Sequence, residues 1–137
     1  MNPSFRSPIL ACLLGLAFWL SQTLIYEPFV VPHLADWKAI PIVWWVAVFV
    51  PEAAVCISAV WAFRHIRDAI VFCVLGGFIL TTCQFLAGML SRSAHHKAIE
   101  GGLLHFGIQF FVVTLLVAGV VGLVSLVRIG VTRVLAG

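Results

Sequence analysis

Glu52 is the group in this chain best placed to do chemistry. It follows Pro51 near the centre of WWVAVFVPEAAVCISAVW (44–61), a run otherwise built from apolar and small residues. A carboxylate held in such surroundings costs several kcal/mol while it is charged. The neutral acid is therefore favoured, and the group becomes a site for hydrogen bonding or proton exchange. Pro51 has no amide hydrogen, and its ring clashes with the carbonyl four residues earlier, at Ala47, so a kink is expected there. The freed carbonyl needs a donor. A protonated Glu52 is a candidate for it, or it donates instead to Gln84 or Gln109 from a neighbouring helix. No cation lies at the same depth, because Arg64 and Arg67 stand about 18 Å or more further along the helix. The competing role is structural: an acid that bridges helices at a kink and does nothing else.

Gln22, Gln84, Gln109 and His105 are the side chains that could join Glu52 in a ligand or proton site. Each lies in or at the edge of an apolar run. Taken singly, a glutamine between apolar helices is packing glue, worth about 0.6 kcal/mol per bond. Their shared depth is what suggests a pocket, and depth depends on the elements that carry them.

Those elements are four apolar stretches, 8–26, 42–63, 69–90 and 103–127. Each has close to the about 20 residues that an α-helix needs to cross a bilayer. The chain has 137 residues, 63% of them hydrophobic and only 9% charged, with mean hydropathy +1.15. Soluble domains run at about 45–50% apolar and about 25% charged. A soluble core of this size could not bury the excess. The runs also lack the strict alternation of membrane barrels. The expected fold is all-α: a single-domain (1–137) integral membrane four-helix, or tetraspan, bundle. Residues 1–26 could serve as a signal peptide, but the apolar run is long for one, and a retained first helix is expected.

The connections are short. EPFVVPHLADWKAIP (27–41) contains three prolines and reads as a non-helical loop, RHIRD (64–68) as a tight polar turn, and SRSAHHKAIE (91–100) as the third loop. Arg6, Arg64, Arg67, Arg128 and Arg133 fall on one side, and Lys38, Arg92 and Lys97 on the other. This bias favours both termini in the cytoplasm. Trp37, Trp44 and Trp45 then form an outer interfacial belt and Trp61 marks the inner interface.

In this frame Glu52 is about 15 Å deep, Gln84 and Gln109 about 9 Å from the outer edge, and Gln22 about 6 Å in. His105 is at the outer rim, and Ser21, Thr23, Thr81 and Thr82 share this half. Helical spacing aligns Cys73, Gly77, Thr81, Gln84, Gly88 and Ser91 on the third helix. It aligns Gly102, His105, Gln109, Val112, Leu116 and Gly119 on the fourth, Gly15, Trp19 and Gln22 on the first, and Trp45, Glu52, Cys56 and Ala59 on the second. Small and polar stripes mark close helix–helix approach in membranes. Gly77, Gly88, Gly119 and the Pro51 kink are accordingly the expected packing positions, around an interior that is polar toward the outside.

Other chemistry is weakly supported. His33, His95 and His96, with Asp36 and Glu100, are weak candidates for metal ligands in the outer loops, because ligation needs them to converge at about 2.0–2.2 Å. His105 could ligate a haem, but no other spanning helix offers a histidine at its depth, and no cofactor is expected. Cys12, Cys56, Cys73 and Cys83 form no C-x-x-C pair. The net charge of +3 is scattered, so there is no nucleic-acid footprint. No nucleotide loop, nucleophile elbow or H-E-x-x-H occurs.

Three functions follow in order of expectation. The first is a non-catalytic accessory or assembly subunit of a larger membrane complex, meeting lipids, other membrane subunits or itself within the bilayer. The second is a small oligomeric transporter or ligand-binding module with an outward-facing polar pocket ending at Glu52. The third is a haem- or quinone-associated redox anchor. A bacterial-type inner membrane is the expected location.

Overall fold

The computed structural model describes residues 5–90 and 102–137. Among them there is no strand, and four helices are long and apolar enough to cross a membrane. Helix α1 is Arg6–Ser21, α2 is Ile42–Ala62, α3 is Ile66–Leu90 and α4 is Gly102–Ala136. Pro8 sits in the first turn of α1, where an amide hydrogen would be unbonded anyway. Pro51 lies inside α2, which continues as helix on both sides of it.

The helices form a ring in which α1 packs on α2 and α3, and α4 also packs on α2 and α3. The centre is built from Leu14, Phe72, Val60, Ala59 and the buried valines of α4, Val113, Val117 and Val121. Close approach is set by glycine. A Cβ at Gly15 would sit 2.5 Å from Ile79 Cγ2, and one at Gly77 would sit 3.0 Å from the Thr114 backbone. These glycines let α1 approach α3, and α3 approach α4, backbone to side chain.

The end of the bundle away from Glu27 is tied down by hydrogen bonds. Asp68 Oδ2 accepts from the amides of Arg64 and His65, at 3.2 and 3.3 Å, and so caps the start of α3. Ser7 Oγ donates to the Asp68 carbonyl at 3.0 Å, which joins the starts of α1 and α3. Arg128 Nη1 donates to the Val60 carbonyl at 2.6 Å and the Phe63 carbonyl at 3.3 Å, which joins α4 to the end of α2.

Three expectations need correction. The segment 27–41 is largely helical. Beyond Ser21 the chain widens into a π-helical stretch, Gln22–Val30, then tightens into a 3₁₀ stretch, Val31–Ala39, broken at Asp36. Proline is tolerated at Pro28 because wide turns relax the ring's conflict with the preceding turn. Burial supplies the driving force: Val30 and Ile40 are buried with Val48, and Phe29 stacks on Trp44 at 4.3 Å. Second, the helix expected at 103–127 runs on to Ala136. Third, the inward face of α4 carries Val113, Val117 and Val121 rather than Val112, Leu116 and Gly119, which are exposed. Nothing lies within 4 Å of a Cβ built at Gly119, so among the described residues it meets no neighbouring helix. The surroundings of Gly88 lie outside the described residues.

Candidate functional site

Glu52 lies one turn of α2 after Val48, whose burial against Val30 and Ile40 fixes the rotation of the helix. That rotation also carries Trp45, Cys56 and Ala59, the stripe expected from the sequence, onto the inner side. Opposite, Ser21 closes α1 and is 1% exposed. Ser21 Oγ donates to Glu52 Oε1 at 2.7 Å and stands 2.9 Å from the Phe18 carbonyl. A serine hydroxyl carries a single hydrogen. That hydrogen is shared between Glu52 Oε1 and the Phe18 carbonyl, or a proton on Glu52 Oε1 is donated to the hydroxyl and frees it for the carbonyl. Glu52 Oε2 is buried and has no hydrogen-bond partner among the described residues.

Glu52 forms part of the wall of a cavity of about 650 Å³ lined by all four helices. The cavity follows α2 from Trp45 to Cys56, a length of about 16 Å at the helical rise. One side is polar. Gln22, Tyr26 and Glu27 come from the π-helical stretch, Glu52 from α2 and Gln84 from α3. The wide turn brings residues four and five apart, Gln22, Tyr26, Glu27 and then Val31, onto one face. Such departures from α-helical pitch recur at functional sites. The opposite side, from α4, is wholly apolar: Val113, Leu116, Val117 and Val120. The floor is Leu14, Cys56 and Leu80.

The polar residues singled out in the sequence divide into three groups. Glu52, Gln22 and Gln84 share the cavity wall. The side-chain amide of Gln22 makes no hydrogen bond to a described residue, so its donor and acceptor are both open to the cavity. Gln109 is held away from the wall and donates through Nε2 to Gln84 Oε1. The partner of Glu52 is therefore Ser21, not Gln84 or Gln109. His105 lies against the ring of Phe85, 5.9 Å between centroids, and does not line the cavity.

Among the described residues no group of three or more His, Cys, Asp or Glu could hold a metal ion. His33 is exposed, and His95 and His96 lie outside the described residues. Sequence reasoning missed Glu27 and Val31, because the prolines of 27–41 read as a loop, and Tyr26, the last residue of the expected first helix. It undervalued Ser21, whose only signal was its place among polar residues of the outer half.

Compared with family models, with curated proteins and with solved structures, the chain shows no significant match to any of them. The site's own geometry is what bears on function.

Proposed function

We propose that this chain is an integral membrane protein with both termini in the cytoplasm, in a bacterial-type inner membrane, and that it binds an amphipathic small molecule in the cavity at Glu52. The four long apolar helices support insertion, and the arginines at the Ser7–Asp68 and Arg128 end support the orientation. One observation carries the binding role: a cavity of about 650 Å³, mostly apolar, with Glu52 in its wall and the buried Oε2 of that residue without a partner among the described residues. Ligand sites have volumes of about 300–1,000 Å³ and combine apolar walls with few polar groups. The last torsion of a glutamate is soft, so Oε2 can turn into the cavity to meet a ligand. With Gln22 beside it, the site offers an acceptor and an amide to a polar head, and α4 offers an apolar wall to the rest. Nothing in this set forms a nucleophile–base pair, so binding rather than turnover is the activity proposed.

Native mass spectrometry of protein extracted from its own membrane in mild detergent tests this. The wild type should retain a small bound mass, and Glu52→Leu should lose it. A wild type that emerges without one, or a mass indifferent to Glu52→Leu, would overturn the assignment.

A second reading is favoured by the far end of α4. Beyond Arg128 the helix continues to Ala136, with Ile129, Val131, Val134 and Leu135 exposed. Such a projection suits an accessory subunit that docks on a larger membrane complex. In the same spectra, a hetero-complex mass lost on Val134→Asp with Leu135→Asp would favour this role.

A further inference from the structure

We propose, resting on that reading of the cavity as a binding site, that its ligand is a single-chain amphiphile with a hydrogen-bond-donating, non-anionic head, and that it enters sideways from the bilayer between α2 and α4.

Access is argued from the four seams of the ring. The α1–α3 seam is closed by Gly15 against Ile79, and the α3–α4 seam by Gly77 against Thr114. The α1–α2 seam is closed by the Ser21–Glu52 hydrogen bond. The α2–α4 seam is the most sparsely packed of the four. There Phe49 and Ala53 of α2 face Leu116 and Val120 of α4, and all four line the cavity. Yet Phe49 and Leu116 are each 65% exposed, more than a residue walled into a cavity can be. They belong to both the cavity and the outer surface. The opening is apolar throughout, at the depth of Glu52 on its own helix, so an aqueous solute has no reason to use it and a lipid-dissolved chain does.

The head is argued from charge and proton count. Among the described residues the charged groups of the wall are Glu27 and Glu52, and no described lysine, arginine or histidine lines it. An anionic head would meet carboxylates and no counter-ion. Oε1 is engaged by the Ser21 hydroxyl, which leaves Oε2 as the unpartnered acceptor of the carboxyl, and the complement of an acceptor is an O–H or N–H donor. The tail is argued from the lining: the cavity follows α2 over about 16 Å, and its α4 side bears only aliphatic side chains.

The test uses the full chain in liposomes with two photo-reactive probes, a long-chain alcohol and the matching long-chain carboxylate, each with a diazirine on the tail. Labelled peptides are mapped by mass spectrometry. The alcohol should label wall residues of α2 and α4 in the wild type. Both Glu52→Leu and the seam-filling pair Ala53→Phe with Val120→Phe should cut that labelling at least about tenfold, equivalent to about 1.4 kcal/mol. The carboxylate should label weakly. If the filled pair fails to fold, Leu116→Trp narrows the same seam and is read in the same way. Labelling that survives seam filling but falls with Glu52→Leu overturns the sideways route and leaves the site standing. Labelling indifferent to Glu52→Leu overturns the site itself. Equal labelling by the carboxylate overturns the choice of head.

Discussion

Ser21 Oγ lies 2.7 Å from Glu52 Oε1 and 2.9 Å from the Phe18 carbonyl oxygen, with one hydroxyl hydrogen to serve both. The simplest complete arrangement puts a proton on Glu52. The expected signature is the C=O stretch of a protonated carboxyl in the infrared spectrum of the reconstituted protein. It should vanish in Glu52→Gln and shift in Ser21→Ala, which removes the partner of Oε1. Glu52→Gln keeps a donor and an acceptor and should fold. Ser21→Ala should cost about 1–3 kcal/mol, the penalty for stranding a buried polar atom. A wild type without a protonated-carboxyl band at neutral pH would show that the proton is elsewhere.

Gly77 and Gly119 make opposite predictions although both sit in stripes with the same spacing. A side chain at Gly77 meets the Thr114 backbone, which cannot move aside without shifting α4. Gly77→Leu should therefore separate α3 from α4 and reduce the yield of monodisperse protein several-fold. Gly119→Leu should leave it unchanged, because a Cβ there meets nothing. Size-exclusion profiles of the two variants, prepared side by side, decide the matter. Equal profiles would mean that the α3–α4 contact does not depend on glycine.

The long helices and the Glu52 stripe were legible in the sequence because both rest on strong regularities. Apolar runs of spanning length have one stable form, and Trp45, Glu52, Cys56 and Ala59 repeat at helical spacing on a helix whose rotation Val48 fixes by burial. The α4 face was not legible. Gln109, Val112, Leu116 and Gly119 and the true set Val113, Val117 and Val121 are both compatible with a helix that is apolar all round, and only contact with α3 and α2 chooses between them. The π-helical stretch was hidden for another reason. Pro28 and Pro32 argue locally for a loop, whereas tertiary burial of Val30 and Ile40 holds the chain helical. Because Glu27 and Val31 fall within 27–41, part of the cavity wall was hidden with it.

Gln84 and Gln109 should be energetically coupled. Gln109 Nε2 donates to Gln84 Oε1 across the α3–α4 contact, and Gln84 also lines the cavity. A double-mutant cycle with Gln84→Leu and Gln109→Leu should give an interaction of about 0.6 kcal/mol, the usual size for a hydrogen bond between apolar helices. Ligand retention should fall with Gln84→Leu and less with Gln109→Leu, which reaches the cavity only by orienting Gln84. Additive stabilities, or equal effects on retention, would remove the positioning role of Gln109.

Arg128 should behave as the clasp of α4 on α2. Its guanidinium bonds the carbonyls of Val60 and Phe63, which the end of α2 leaves without helical partners, and lies 6.0 Å from the centre of the Trp61 ring. Hydrogen bonds from a charged donor are worth about 1.5–3 kcal/mol. Arg128→Leu removes them and leaves two carbonyls unpaired where the chain turns toward α3. Hydrogen exchange in the last turn of α2 should then speed up, and the same loss should loosen the α2–α4 seam. Arg128→Lys, with one ammonium in place of a planar fork, should recover part of the protection. Unchanged exchange at Val60–Phe63 in Arg128→Leu would show that the end of α2 is held by its apolar contacts alone.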